Sequence, residues 1–213
     1  MLDILPAILA SDETEFRARL ALVEDLAPVI HLDIMDGAFV PNTCWADLAV
    51  LGRLMTDVRF ELHLMVEDPR RYIDQAREID IVERIIWHVE APANHTHLIE
   101  RCSTANKEAG LAVIPRTSLD ALASHAGTLA EILIMGSDPG FSGKTLDAAN
   151  LEKAAEAHRR WPSIPIGFDI GVNEATIPLL QAAGVSRACA ASAIFAATDP
   201  RDMLLRLQKR ASA

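Results

Sequence analysis

Short apolar runs alternate with longer segments of helical period about eight times between Ile4 and Leu207. The apolar runs predict strands at residues 4–9, 29–33, 59–65, 85–88, 111–114, 131–135, 164–169 and 187–190. The longer segments predict helices at residues 13–25, 45–55, 69–78, 96–109, 119–125, 146–161, 174–183 and 199–209. Alternation of this kind indicates parallel strands that are joined by helical crossovers.

These units predict an α/β fold, a TIM (β/α)8 barrel that forms a single domain over residues 1–213. A doubly wound open sheet is the alternative architecture. Gly110 and Gly184 stand where the C-terminus of a helix favours a residue of positive φ. A short extra helix is expected at residues 191–195, after the last strand.

Composition excludes several classes of partner. The net charge of −10 and the pI of about 5.1 argue against a nucleic-acid or anionic-membrane surface, since both need clustered Lys and Arg. Cys44, Cys102 and Cys189 are far apart, which predicts reduced thiols rather than a disulfide framework. No basic segment precedes the first apolar stretch, and no run is as long as a membrane span. We expect a soluble cytoplasmic protein and, further, a homo-oligomer.

Two histidines and two aspartates lie at the ends of predicted strands, and they are His31, Asp33, His63 and Asp169. Taken singly, each histidine is more simply a hydrogen-bonded core residue. In a barrel, however, the ends of these strands converge on one mouth, where buried charges must be paired or bound to metal. A mixed set of imidazoles and carboxylates suits zinc, iron(II), manganese or cobalt. The set therefore predicts one divalent metal ion. Asp36 is left out of this set, because the following Gly37 makes it more simply a turn residue.

Three methionines share this geometry and are expected to point over the mouth, and they are Met35, Met65 and Met135. They fill gaps in the core or form an apolar wall that keeps water from a reacting carbon. The glycine-rich segment 136–144 follows the sixth strand and is either an ordinary turn or a loop whose backbone N–H groups hold a phosphate. Loops after the seventh and eighth strands are the usual phosphate site of this fold.

Six motifs in order carry a resemblance to a known family, and they are Leu5-Pro-Ala-Ile-Leu9, His31-Leu-Asp-Ile-Met-Asp-Gly-Ala-Phe-Val-Pro-Asn42, His63-Leu-Met-Val66, Asp138-Pro-Gly-Phe-Ser-Gly143, Asp169-Ile-Gly-Val-Asn173 and Ser192-Ala-Ile-Phe195. Through them the chain resembles the ribulose-phosphate 3-epimerases along almost its whole length. The resemblance implies an isomerase of a phosphorylated ketose, such as ribulose 5-phosphate or xylulose 5-phosphate.

The resemblance also implies a role for each site residue. His31, Asp33, His63 and Asp169 would bind the metal, and Asp33 and Asp169 would transfer protons through a cis-enediolate intermediate. Backbone groups would hold the phosphate at Gly140, Phe141, Ser142, Gly143, Lys144, Gly171, Val172, Ala191 and Ser192.

The chain departs from the family pattern around the substrate. Ala7 stands where the family normally has Ser, and Ile170 and Ala191 stand where it has Gly. Arg116 and Lys144 replace a small residue and Gln, so positive charge is added near the mouth. Ile170 would be strained if its φ were positive. We therefore expect retained catalysis with altered specificity.

Two other functions are consistent with such a barrel. One is a lyase of the related phosphate-binding barrels, whose Asp-x-Lys-x-x-Asp signature requires Lys two residues after the first Asp. Met35 occupies that place after Asp33, which disfavours this function. The other is a non-catalytic barrel that binds a sugar phosphate, and the intact acid/base residues disfavour it.

Overall fold

Parallel strands close into a barrel in the part of the chain that this computed structural model describes, which is residues 2–140, 143 and 145–213. Each strand pairs with the next in sequence, and the eighth pairs with the first. The predicted TIM barrel is therefore confirmed, and the alternative of an open sheet is wrong. Closure brings the carboxyl ends of all the strands to one mouth.

The strands agree closely with the predicted runs. Their bounds are β1 Asp3–Ile8, β2 Val29–Met35, β3 Arg59–Met65, β4 Val82–His88, β5 Glu108–Val113, β6 Glu131–Met135, β7 Ile166–Asp169 and β8 Arg187–Ala190. Their apolar side chains on the outer face pack against the surrounding helices and form the main core of the protein.

Most helices begin just after an aspartate or asparagine whose side chain accepts a backbone N–H of the first turn, at Asp12, Asp47, Asp68, Asn94, Asp147 and Asp199. The helices are α1 Glu13–Val23, α2 Leu48–Leu51, α3 Pro69–Ala76, α4 His95–Thr104, α5 Ala148–Arg160, α6 Ile177–Ala182, α7 Ser192–Phe195 and α8 Pro200–Ala211. Helix α7 is the short extra helix that was expected after β8. Among the described residues, no helix combines the length and apolar character needed to cross a membrane.

Three local predictions are wrong. The helix predicted at 45–55 is shortened to α2, because Asp47 caps it three residues later than expected and Gly52 ends it. Segment 119–125 forms a 3-10 turn at Leu119–Leu122 rather than an α-helix. Gly110 does not end a helix but lies inside β5, where a Cβ atom would approach Ile86 to 2.8 Å. Gly184 has the positive φ that was predicted, 78°.

Candidate metal centre

The four predicted ligands lie together at the carboxyl-terminal mouth of the barrel. His31 and Asp33 come from the same face of β2, and the strand register places His63 of β3 directly beside Asp33. Asp169 is the last residue of β7. One ligand atom from each of these residues lies within 4.8 Å of the others. Such a cluster could hold one metal ion.

The burial of these four residues, and a ring nitrogen of His31 that has no hydrogen-bond partner, support this interpretation. The two histidines are fully buried, and Asp33 and Asp169 are 6% and 7% exposed. His31 Nε2 lies 3.3 Å from Asp33 Oδ1 but has no hydrogen-bond partner. His63 Nδ1 lies 2.9 Å from Asp33 Oδ1 and 3.8 Å from Asp169 Oδ2. A buried polar atom without a partner is costly, and a metal ion between these groups would satisfy it.

The two carboxyl groups differ in their readiness to hold a proton. Burial opposes the charge of Asp33, but the neighbouring imidazoles of His31 and His63 outweigh burial and keep the pKa of this carboxyl below its usual range. Burial, and then the neighbouring charge of Asp33, raise the pKa of Asp169 to about 6. Carboxyl groups whose pKa values are pushed apart can serve as a base and an acid.

Each histidine of the cluster contacts a further residue through the ring nitrogen that does not face Asp33, and neither of these two residues was predicted from the sequence. Glu61 Oε1 lies 2.7 Å from His31 Nδ1, and His88 Nε2 lies 3.0 Å from His63 Nε2. Burial lowers the pKa of His88 to about 4, so its ring is neutral and has one nitrogen that can accept a hydrogen bond from His63. Glu61 precedes His63 by two residues and therefore points into the same interior. The two-residue spacing between Glu61 and His63 is therefore the signal by which Glu61 could have been predicted from the sequence.

The three methionines line a cavity of about 30 Å³, together with Asp33 and Asp169. The same cavity is lined by Gly140 and Gly143 of the loop after β6, and by residues of the loops after β7 and β8, namely Ile170, Gly171, Val172, Ala191 and Ser192. The structure thus brings the described residues of the predicted phosphate site to the predicted metal centre. Phe141, Ser142 and Lys144 lie outside the described residues.

Ile170 has a φ of 75°, a backbone conformation that is rare for a β-branched residue. Gly171 follows with a φ of 82°, so two consecutive residues adopt left-handed conformations. The backbone therefore keeps a path that suits two glycines. The Ile170 side chain packs on the apolar cluster that includes Met135 and Cys189 and has Ala191 at its edge.

The remaining specificity candidates lie in different places. Ala7 is fully buried in the apolar cluster beneath Ile170. Arg116 does not line the methionine cavity: its side chain is 75% exposed and lies 3.2 Å from Asp138, beside a separate cavity of about 430 Å³. Asp36 accepts N–H groups from Ala38, Phe39 and Glu67 and is the turn residue that was expected.

Comparison with known proteins agrees with the motifs. Residues 3–195 match the ribulose-phosphate 3 epimerase family. The chain is 32% identical to a ribulose-phosphate 3-epimerase of Mycobacterium leprae, over 99% of this chain and 95% of that one. It is 30% identical to the enzyme of that name from Eremothecium gossypii, over 94% and 89%. The chain belongs to this family, whose members are isomerases of carbohydrates.

Solved structures agree on the fold. A 3-keto-L-gulonate-6-phosphate decarboxylase from Vibrio cholerae superposes with a TM-score of 0.77 at 14% identity, over 100% of this chain and 97% of that chain. A 3-hexulose-6-phosphate synthase gives 0.70 at 18% identity, over 98% of both chains. At such identities the likeness shows the barrel and not the reaction.

Proposed function

We propose that the protein is a metal-dependent 3-epimerase of a phosphorylated ketose, either ribulose 5-phosphate and xylulose 5-phosphate or a related ketose phosphate. The observation that carries the proposal is the pair of buried carboxyl groups, Asp33 and Asp169, which come from different strands and share one cluster with two histidines. Epimerisation removes a proton from one face of a carbon and returns one to the other, so it needs two such groups.

The donor set fits a divalent transition metal. His31, Asp33, His63 and Asp169 would hold it, and zinc, iron(II), manganese and cobalt all accept mixed imidazole and carboxylate ligands. When bound, the ion would act as a Lewis acid towards the substrate carbonyl and the neighbouring hydroxyl.

Proton transfer is assigned to the two aspartates. Asp33 is ionised and would take the proton from the carbon beside the carbonyl, which leaves a flat cis-enediolate. Asp169 holds a proton more readily, with its pKa raised to about 6 mainly by burial, and would return one to the opposite face. In the reverse reaction the two roles exchange.

Apolar side chains complete the mouth. Met35, Met65 and Met135 line the cavity beside both aspartates. Their side chains would keep water from the carbanionic intermediate, which bulk solvent would otherwise protonate without control of the face. Backbone N–H groups at Gly143, Gly171, Val172 and Ser192 would hold the phosphate at the rim of the same cavity.

The experiment combines metal analysis with isotope exchange. Protein purified without chelator should contain about one transition metal ion per chain. With a panel of pentulose, tetrulose and hexulose phosphates in D₂O, it should form the 3-epimer of at least one, with solvent deuterium at C3. Absence of bound metal, together with no activation or stabilisation by zinc, manganese, iron(II) or cobalt, would contradict the proposal. Binding without exchange would indicate a non-catalytic barrel, and carbon–carbon cleavage would indicate a lyase.

A further inference from the structure

A second layer of charged side chains fills the amino-terminal end of the barrel interior, beneath the metal centre. These residues point inward from β3, β4, β6 and β8, and we call them the basal layer: Glu61, Arg84, Glu131 and Arg187. Glu61 and Glu131 are fully buried, and Arg84 is 3% exposed. Gly167 makes room for the layer, because a Cβ atom there would overlap Glu131 Oε1.

Arg84 is the centre of this layer. Its guanidinium forms an ion pair with Glu61 Oε2. It also lies 2.5 Å from Glu108 and 3.5 Å from Glu131, and Arg187 lies 2.5 Å from Glu131. A guanidinium with several carboxylates around it has little freedom to turn. Arg84 therefore fixes the position of the Glu61 carboxylate.

The second oxygen of Glu61 reaches the metal centre. Oε1 lies 2.7 Å from His31 Nδ1, and both side chains are fully buried. A carboxylate paired with arginine accepts hydrogen bonds and does not donate them, so Nδ1 must carry the proton. The other ring nitrogen, Nε2, is then the one directed to Asp33 and left without a partner.

We infer that Arg84 and Glu61 act together as positioning residues for His31, which set its tautomer and direct Nε2 to the metal. This inference rests on the proposed function, because it requires that His31 ligates a metal. A carboxylate behind a ligating imidazole also makes the ring a stronger donor. The other histidine, His63, is backed by the neutral ring of His88. His31 is thus the ligand whose strength depends on a buried charge.

The test is the metal affinity of Glu61→Gln. His31 and Arg84 contact different oxygens of Glu61, so Gln at this position keeps an acceptor towards one of them and presents an NH2 donor to the other. Competition with a chelator should show zinc affinity about 10- to 100-fold lower than in the wild type. The cobalt-substituted variant should show an altered visible spectrum. The matched control is Glu108→Gln, which removes a charge from the same arginine at a half-exposed side chain that does not contact His31.

We expect Glu108→Gln to keep zinc affinity within about threefold of the wild type, in line with the small contribution of exposed ion pairs. Equal zinc affinity in Glu61→Gln and wild type would overturn the inference, as would an equal loss in both variants. A purely structural role would lower the melting temperature of the metal-free variant and leave the zinc affinity of the folded protein unchanged. A wild type that binds no metal would instead contradict the proposed function.

A measurement on the wild type covers the case in which Glu61→Gln does not fold. In the zinc-loaded protein labelled with ¹⁵N-histidine, NMR should show His31 ligated through Nε2, with a proton on Nδ1 that exchanges slowly with solvent. Ligation through Nδ1, or rapid exchange of the Nδ1 proton, would overturn the inference.

Discussion

The two ends of the barrel interior both contain buried charge, but they balance it differently. In the basal layer the carboxylates of Glu61 and Glu131 contact arginines. At the mouth, Asp33 and Asp169 contact histidines and lie near each other. The basal layer is neutralised by its own arginines, whereas among the described residues no lysine or arginine forms an ion pair with Asp33 or Asp169 at the mouth. This contrast separates a charge cluster that is balanced within the protein from one whose buried carboxylates leave a place for a metal ion.

The largest expected effect concerns the stability that the basal layer contributes. Arg84→Met should lower the free energy of unfolding by about 3–5 kcal/mol, because Glu61 and Glu131 would remain buried without their shared partner. Denaturant unfolding measures the change. The control is Arg17→Met, which breaks a half-exposed pair with Glu13 and should cost less than about 1 kcal/mol. Equal stability of Arg84→Met and the wild type would show that the basal layer does not hold the barrel together.

The next effect concerns the mouth. Asp33→Asn and Asp169→Asn should each lower turnover by at least ~10²-fold, because each loses a proton-transfer group and a metal ligand together. Steady-state kinetics with a true substrate gives the loss, and metal content must be measured in both variants. Asp36→Asn, at the end of the same strand but bonded only to backbone N–H groups, is the control. Near-full turnover in either active-site variant would refute the mechanism with two aspartates.

A smaller effect should appear in the pH dependence of stability. Burial, and then the charge of Glu61, raise the pKa of Glu131 to about 8 in the folded protein, above the ordinary value of 4.5. The bound proton therefore stabilises the fold fully below about pH 4.5, and this stabilisation is lost as the pH rises through about 8. The expected fall is up to about 1.4 kcal/mol for each pH unit.

Glu131→Gln has no proton to lose at this position, so its stability should fall less steeply than that of the wild type over the same range. Urea unfolding at several pH values between 5 and 9 provides the comparison, with Glu108→Gln as the matched carboxylate. If the free energy of unfolding has the same pH dependence in Glu131→Gln and the wild type, Arg84 and Arg187 keep Glu131 ionised at neutral pH. The charges of the basal layer would then be balanced entirely by ion pairs.

The sequence was sufficient for the barrel and for the clustering of the four candidate ligands, because both depend on local periodicity and on closure of the sheet. Alternation along β2 places His31 and Asp33 on one face, and closure of the barrel brings His63 and Asp169 to them. The basal layer could not be predicted in the same way. Arg84 contacts Glu61 and Glu131 on other strands, and such partners follow from the register and not from any single strand.

The loops around the mouth, which we call the rim and which include Arg116 and Ile170, were predicted less well, for a different physical reason. Backbone paths in loops depend on long-range contacts, so the sequence could state only that Ile170 would be strained if its φ were positive. The φ of 75° shows that this condition holds. Arg116 contacts Asp138 beside another cavity, and its part in specificity stays a prediction.

The smallest effect tests this rim. Ile170→Gly removes a strain of roughly 1–3 kcal/mol, part of which is offset by the greater freedom of glycine in the unfolded chain. We expect a net stabilisation of about 1 kcal/mol, measured by urea unfolding. The variant also removes the side chain that packs over Met135 and Cys189 at the edge of the cavity.

The same variant tests specificity. If Ile170 and Ala191 alter the hold on the phosphate, the wild type should use ribulose 5-phosphate poorly beside other ketose phosphates. Ile170→Gly should then raise kcat/KM for ribulose 5-phosphate about tenfold or more, since one charge-assisted hydrogen bond contributes ~1–3 kcal/mol. Leu179→Gly, at an exposed position on α6 away from the cavity, should leave kcat/KM unchanged. A wild type that prefers ribulose 5-phosphate and gains nothing from glycine at 170 would show that the backbone path alone sets specificity. The backbone path of the rim would then set specificity without help from the side chain at position 170, just as the fold alone brings the four candidate ligands together.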